Sequence, residues 1–131
     1  MDDLAAAVRD ALEDGVSRGL VGVSYYDEEG VGHVYRSDWA AEKYEPPQVD
    51  AVVRDIQLGA LGYGSLEARH EQDLHATVRV YDEMLDVAVP VSQMAGVVFP
   101  LDVDGDYALR AVIDRVESVI EESAYERPVI D

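Results

Sequence analysis

Two histidines and two acids fall within seven residues, Arg69-His70-Glu71-Gln72-Asp73-Leu74-His75. Imidazole and carboxylate are both metal donors, so this stretch must be weighed as a site. Its spacing matches no closed structural-zinc pattern and no H-E-x-x-H helix. It reads as a solvated loop running into a strand, with His75 on the strand's exposed face. Asp102-Val103-Asp104-Gly105-Asp106 opens like a calcium loop, yet Tyr107 stands at the glycine position and Ile113 where a bidentate glutamate must close it. Asp104 or Asp106 is expected instead to cap the last helix. Gly59-Ala60-Leu61-Gly62-Tyr63-Gly64 follows a helix rather than a strand and lacks the Gly-Lys-Ser/Thr of a phosphate loop, so it reads as a helix end and turn. There is no cysteine, and none of Ser17, Ser24, Ser37, Ser65, Ser92, Ser118 or Ser123 sits in a Gly-x-Ser-x-Gly elbow. Ser24 lies in a strand between Val23 and Tyr25. These residues assign no catalytic group, metal or cofactor, and enzyme activity is not expected.

The charge pattern is more informative. Lys43 is the single lysine, against nine arginines and 28 Asp and Glu, for a net charge of −18 over 131 residues and a pI near 4.2. At ordinary ionic strength such a surface repels itself and weakens the compact state. In molar salt the Debye length falls to about 3 Å and the repulsion is screened. The composition points to the cytoplasm of a halophile that accumulates salt. Arginines scattered among acids leave no electrostatic footprint for nucleic acid. No apolar run approaches the ~20 residues that span a bilayer, and Met1-Asp2-Asp3-Leu4 lacks the basic start of a signal peptide. With 48% hydrophobic residues the chain can build a core, and its length suits a single domain over 1–124, with 125–131 a frayed tail.

The elements follow from periodicity. Leu4, Val8, Ala11 and Leu12 mark an amphipathic helix that ends at Gly15 and Gly19. Alternation from Leu20 to Tyr26, the turn Asp27-Glu28-Glu29-Gly30, and alternation from Val31 to Arg36 predict a hairpin. Ser37 or Asp38 caps a short helical turn through Glu42. Pro46 and Pro47 open a middle helix whose stripe is Val49, Val52, Val53 and Ile56. The stretch Gly59 to Asp73 reads as loop, anchored at Leu66. Three strands follow: Leu74 to Val80, with Leu74, Ala76, Val78 and Val80 on one face, then Met84 to Val91, then Met94 to Phe99, where Pro100 ends the pairing. Leu109, Val112, Ile113, Val116, Val119 and Ile120 stripe the final helix. The expected fold is α/β (α+β), order αββαβββα, with a single five-stranded antiparallel sheet that buries one face under helices.

That order, together with Leu20-Val-Gly-Val-Ser-Tyr-Tyr-Asp-Glu-Glu-Gly-Val-Gly-His-Val-Tyr as first hairpin and Leu74 to Val91 with Met94 to Asp102 as closing meander, resembles the roadblock/LC7 family of profilin-like modules. Asp73-Leu-His-Ala-Thr-Val-Arg-Val-Tyr-Asp-Glu and Gly96-Val-Val-Phe-Pro-Leu-Asp are similar to a group of uncharacterised halophilic archaeal proteins. The resemblance implies a non-catalytic interaction or regulatory adaptor, a homodimer or a protein partner, with a small GTPase as one partner class. It places the partner surface on the middle helix and third strand, at Val49, Val53, Ile56, Leu74, Ala76 and Val78. Trp39 and Tyr44, in the irregular segment, are candidate exposed anchors. The rival reading is a small-molecule sensor with a pocket between sheet and helices, lined by Tyr25, Tyr35 and Trp39.

Overall fold

The computed structural model describes residues 1–123; the tail expected to fray, 125–131, lies outside the described residues. The elements run α1 (Asp2–Gly15), β1 (Arg18–Leu20), β2 (Gly22–Asp27), β3 (Gly30–Arg36), α2 (Asp38–Lys43), α3 (Pro46–Ala60), α4 (Tyr63–His70), β4 (Thr77–Val80), β5 (Met84–Pro90), β6 (Gly96–Asp106) and α5 (Leu109–Glu122). Local chemistry sets several boundaries. Asp27 Oδ1 accepts the backbone N–H groups of Glu29 at 2.8 Å and Gly30 at 3.1 Å, which closes the β2–β3 turn. Gly30 sits there at φ 140°, which a side chain would resist. Ser37 Oγ caps α2 by accepting from Ala40 N–H. Pro46 preorganises the first turn of α3, where Gln48 Oε1 accepts from Glu45 N–H at 2.7 Å.

The strands form one antiparallel sheet in the order β3-β2-β6-β5-β4, so the first hairpin joins the later meander through β2 and β6. The sheet has six strands rather than five, because β6 continues past Pro100 to Asp106 and takes β1 alongside it. Pro100 is tolerated inside the strand because its missing N–H points toward the junction of β1 and β2. There its carbonyl accepts from Val21 N–H at 3.0 Å and the ladder is already interrupted. The same extension corrects the expected helix cap. Asp104 and Asp106 belong to the strand, Arg18 donates to the Asp104 carbonyl at 2.9 Å, and α5 starts after Ala108 without a side-chain cap.

Alternation along the central strands divides the side chains between two cores. Val87, Val89, Val97, Phe99 and Leu101 face α1 and α5, meeting Leu4, Val8, Leu12, Val112, Val116 and Ile120. Ala88, Val98 and Tyr26 face the other way, against Val53, Ile56 and Ala60 of α3. Both faces of the sheet therefore carry helices, where one covered face was expected. Tyr26 lies across its register partner Gly96, where an added Cβ would come within 2.5 Å of the phenol oxygen. Burial, and then Tyr63, push the Tyr26 hydroxyl up to about 12.

The stretch Gly59 to Asp73 departs most from expectation, since it holds the helix α4. Glycine interrupts a helix mainly by adopting positive φ. Gly62 instead keeps φ −90°, and among the described glycines only Gly19 and Gly30 sit at positive φ. The break falls at Glu71, at φ 55°. Leu66 is exposed rather than an anchor. Glu67 Oε2 accepts from Leu74 N–H at 2.8 Å, in place of a strand partner, so β4 begins only at Thr77.

Candidate functional site

The face of the sheet under α3 is only partly covered. Val53, Ile56 and Ala60 seal the half built on Tyr26, Ala88 and Val98. Over the other half the floor residues supplied by β2 and β6 are small or ring-closed, namely Gly22, Ser24 and Pro100. Together with Val49 and Val52 of α3 they line an open groove of about 900 Å³. Its rim is completed by Tyr44 at the end of α2 and by the β4–β5 turn, Tyr81 to Glu83. That volume lies within the range of small-molecule sites.

Three polar groups meet at the hairpin edge of the groove, which Ser24 and His33 line. Ser24 and His33 are register partners in the hairpin, and Asp50 comes from the first turns of α3. Ser24 Oγ and His33 Nδ1 are 2.6 Å apart, as are His33 Nε2 and Asp50 Oδ1. In the neutral imidazole, Asp50 accepts from Nε2–H, so Nδ1 accepts the Ser24 hydroxyl proton. Such a line polarises a hydroxyl, yet Ser24 is only 5% exposed. Its strand is paired on both sides, with His33 of β3 and Val98 of β6, so the flanking N–H groups are committed to ladders rather than aimed at a developing oxyanion. What the line accomplishes mechanically is to tie α3 to the hairpin at the groove's edge. Sequence reasoning passed over it. The signal was present: a two-residue turn with Asp27 opposite Gly30 sets Ser24 opposite His33.

Asp86 is the second polar feature. It lies on β5 opposite Pro100, 5% exposed, on the groove floor. Burial pushes its carboxyl above the ordinary value of 3.8, and the Arg79 guanidinium across the ladder pulls partly the other way. With its folded pKa raised, the native state binds more protons than the unfolded chain between 3.8 and the raised value. Stability therefore falls as pH rises through that window, and the cost persists above it. Asp86→Asn is expected to raise Tm at pH 7, because the amide removes the charge that burial penalises. The gain should shrink toward zero below pH 3.8. A variant that melts lower than wild type at pH 7 would mean the carboxylate is a structural support instead.

The sequence-predicted residues scatter. Tyr44 and Val49 line the groove, and so does Tyr35, but Tyr25 and Trp39 do not, which corrects the expected lining. Val53 and Ile56 are 2% exposed in the core, so they correct the expected partner surface, and Val52 takes the outward position on α3. Leu74 and Ala76 are half-buried, while Val78 is 37% exposed on the edge strand. Trp39 is exposed and meets Tyr44 edge-on at 6.0 Å. Lys43 lies 4.9 Å above the Trp39 ring and 3.6 Å from Glu83, so the single lysine bridges α2 to the β4–β5 turn. The histidines beside α4 are drawn apart: His70 Nδ1 donates to the Leu66 carbonyl at 2.7 Å, and His75 pairs with Glu117 at 2.7 Å. Its hydrogen bond to Glu117 raises the His75 imidazole above its ordinary 6.5. Among the described residues, no three potential ligand side chains gather as a metal site. Nor is any described helix long and apolar enough to cross a membrane.

Solved structures share this arrangement. The chain is similar to an MglB with tetrameric arrangement (TM-score 0.66, 16% identity, covering 91% of this chain and 83% of that one). It is similar to a roadblock/LC7 domain from Streptomyces avermitilis (0.59, 14%, 92% of each chain) and to the gliding protein MglB from Thermus thermophilus (0.61, 15%, 94% and 95%). At these identities the likeness shows the fold, which is that of roadblock/LC7 domains. No curated protein matches the sequence. Residues 3–121 match the family described as Domain of unknown function (DUF7522).

Proposed function

The chain belongs to the DUF7522 family, and we propose that it is a non-catalytic interaction module that pairs with a second copy of itself through the β4 edge. The observation that carries this reading is the exposed apolar margin there. β4 ends the sheet, and it presents Val78 at 37% and Val80 at 69% exposure, with Tyr81 following at 51%. An edge strand of this kind offers unpaired backbone groups to another strand. Tyr63, at the start of α4, shares a hydrogen bond of 3.1 Å with Thr77 of β4. The start of α4 therefore adjoins the edge, and the proposed interface takes in exposed Leu58 at the end of α3, Leu61 after it and Leu66 of α4. Strand pairing supplies register, and the leucines supply buried area.

The roadblock likeness supports a regulatory adaptor with a small GTPase as partner class, and the −18 charge supports a salt-rich halophile cytoplasm as its setting. Light scattering in 2 M KCl is expected to give twice the chain mass. Val78→Lys with Val80→Lys puts two charges into the paired edge and is expected to raise the dimer dissociation constant by more than about tenfold, with an unchanged circular dichroism spectrum. A wild-type protein that stays monomeric at high micromolar concentration would overturn the proposal.

A further inference from the structure

The groove under α3 contains a feature that self-association does not use. The Asp86 residue is nine-tenths buried, yet its carboxylate takes part in no hydrogen bond or ion pair among the described residues and keeps its contact with solvent only through the groove; the cation acting on it is Arg79, through space. Buried carboxylates are normally paired, because an unpaired one costs stability. Here the unpaired group opens onto a groove whose walls are largely hydrocarbon: Val49 and Val52 from α3, Pro100 from β6, Met84 beside Asp86 on β5. The other acids that line the groove, Asp82 and Glu83, stand in the β4–β5 turn, where Glu83 is engaged by Lys43; Arg36 completes the charged lining.

We propose that this groove binds a small organic cation, an ammonium or guanidinium group meeting Asp86 while its apolar body lies against Val49, Val52 and Pro100. The chemistry follows from what the site lacks. A cation supplies the charge-assisted hydrogen bonds that Asp86 does not receive from the protein. A hydrocarbon body displaces water from the apolar walls, and the volume of about 900 Å³ admits a ligand of tens of atoms at most. Ser24, at the hairpin end of the groove, keeps an acceptor lone pair on the hydroxyl whose proton goes to His33, a second polar contact that orients the ligand's far end.

The test uses 2-phenylethylamine and its neutral isostere 2-phenylethanol as probes, titrated in the same KCl buffer and followed by backbone amide NMR. The amine is expected to shift the resonances of Asp86, Ser24 and Val49 along a saturable curve, at least about tenfold more tightly than the alcohol. Asp86→Asn, which should fold at least as well as wild type, is expected to bring the amine down to the alcohol's affinity. Val52→Trp, at an exposed position on the groove's roof, is expected to abolish binding of both. Equal affinity for the two probes overturns the proposal, as does an amine preference that survives Asp86→Asn, which would indicate general attraction to the acidic surface. Absence of any saturable shift, or saturation by a basic peptide alone, overturns it as well.

Discussion

Phe99→Ala is expected to remove about 3–5 kcal/mol of folding stability, the range for truncating a fully buried aromatic side chain. Phe99 has no exposed surface and sits in the first half of β6, opposite Val87 of β5. Its ring belongs to the core beneath α1 and α5, with Leu12, Leu101, Val112 and Val116. Neither helix can collapse freely into the space left behind, because each is also bound to the other: Arg115 of α5 donates to the Ala11 carbonyl of α1 at 3.0 Å. A domain of this size holds roughly 5–15 kcal/mol in total, so the variant should lose a large share of its stability. Because β6 pairs with β1, β2 and β5, the loss reaches both halves of the sheet. Guanidinium titration in constant KCl measures it as a lower midpoint with an unchanged m-value. A loss below about 1 kcal/mol would place the stabilising core elsewhere than between β6 and the α1–α5 pair.

Lowering KCl from 2 M to 0.1 M is expected to reduce Tm by more than about 10 °C, roughly 2–3 kcal/mol at the scale appropriate to this chain length. The cause is the surface. Net charge −18 on one small domain is self-repulsive, and the Debye length grows from under about 3 Å to about 10 Å across this range. Ion pairing provides little internal relief. The contacts Arg110–Asp114 and Arg115–Asp14 are largely solvent-facing and Arg9–Asp10 partly so, and such pairs contribute at most about 1 kcal/mol each. Sucrose at matched osmolality serves as the control, since it strengthens burial without screening charge. A Tm that is flat in KCl, or that responds equally to sucrose, would remove electrostatic screening as the reason for this composition.

The sequence by itself determined the features that are local or additive. Helical spacing located α1, α3 and α5. The Asp27–Gly30 turn fixed the first hairpin and, through it, the Ser24–His33 pairing. Charge totals needed no fold at all. Periodicity also placed Val53 and Ile56 on one stripe of α3, but it could not say what covered that stripe; the sheet does, so they are core rather than partner surface. Other features were decided by contacts between distant segments. β1 exists because β6 runs alongside it, and Pro100 stays in a strand because its missing N–H meets a ladder already broken. α4 persists through a glycine-rich stretch because Gly62 keeps helical dihedrals. The groove arises where small floor residues from β2 and β6 lie beneath an α3 that is held by Asp50 to His33. Asp86 is one of many acids in the sequence, and only its place on that floor, with protein partners withheld, sets it apart. A chain's pattern encodes which way each side chain faces along its own element. Which element it then meets is a property of the assembled sheet.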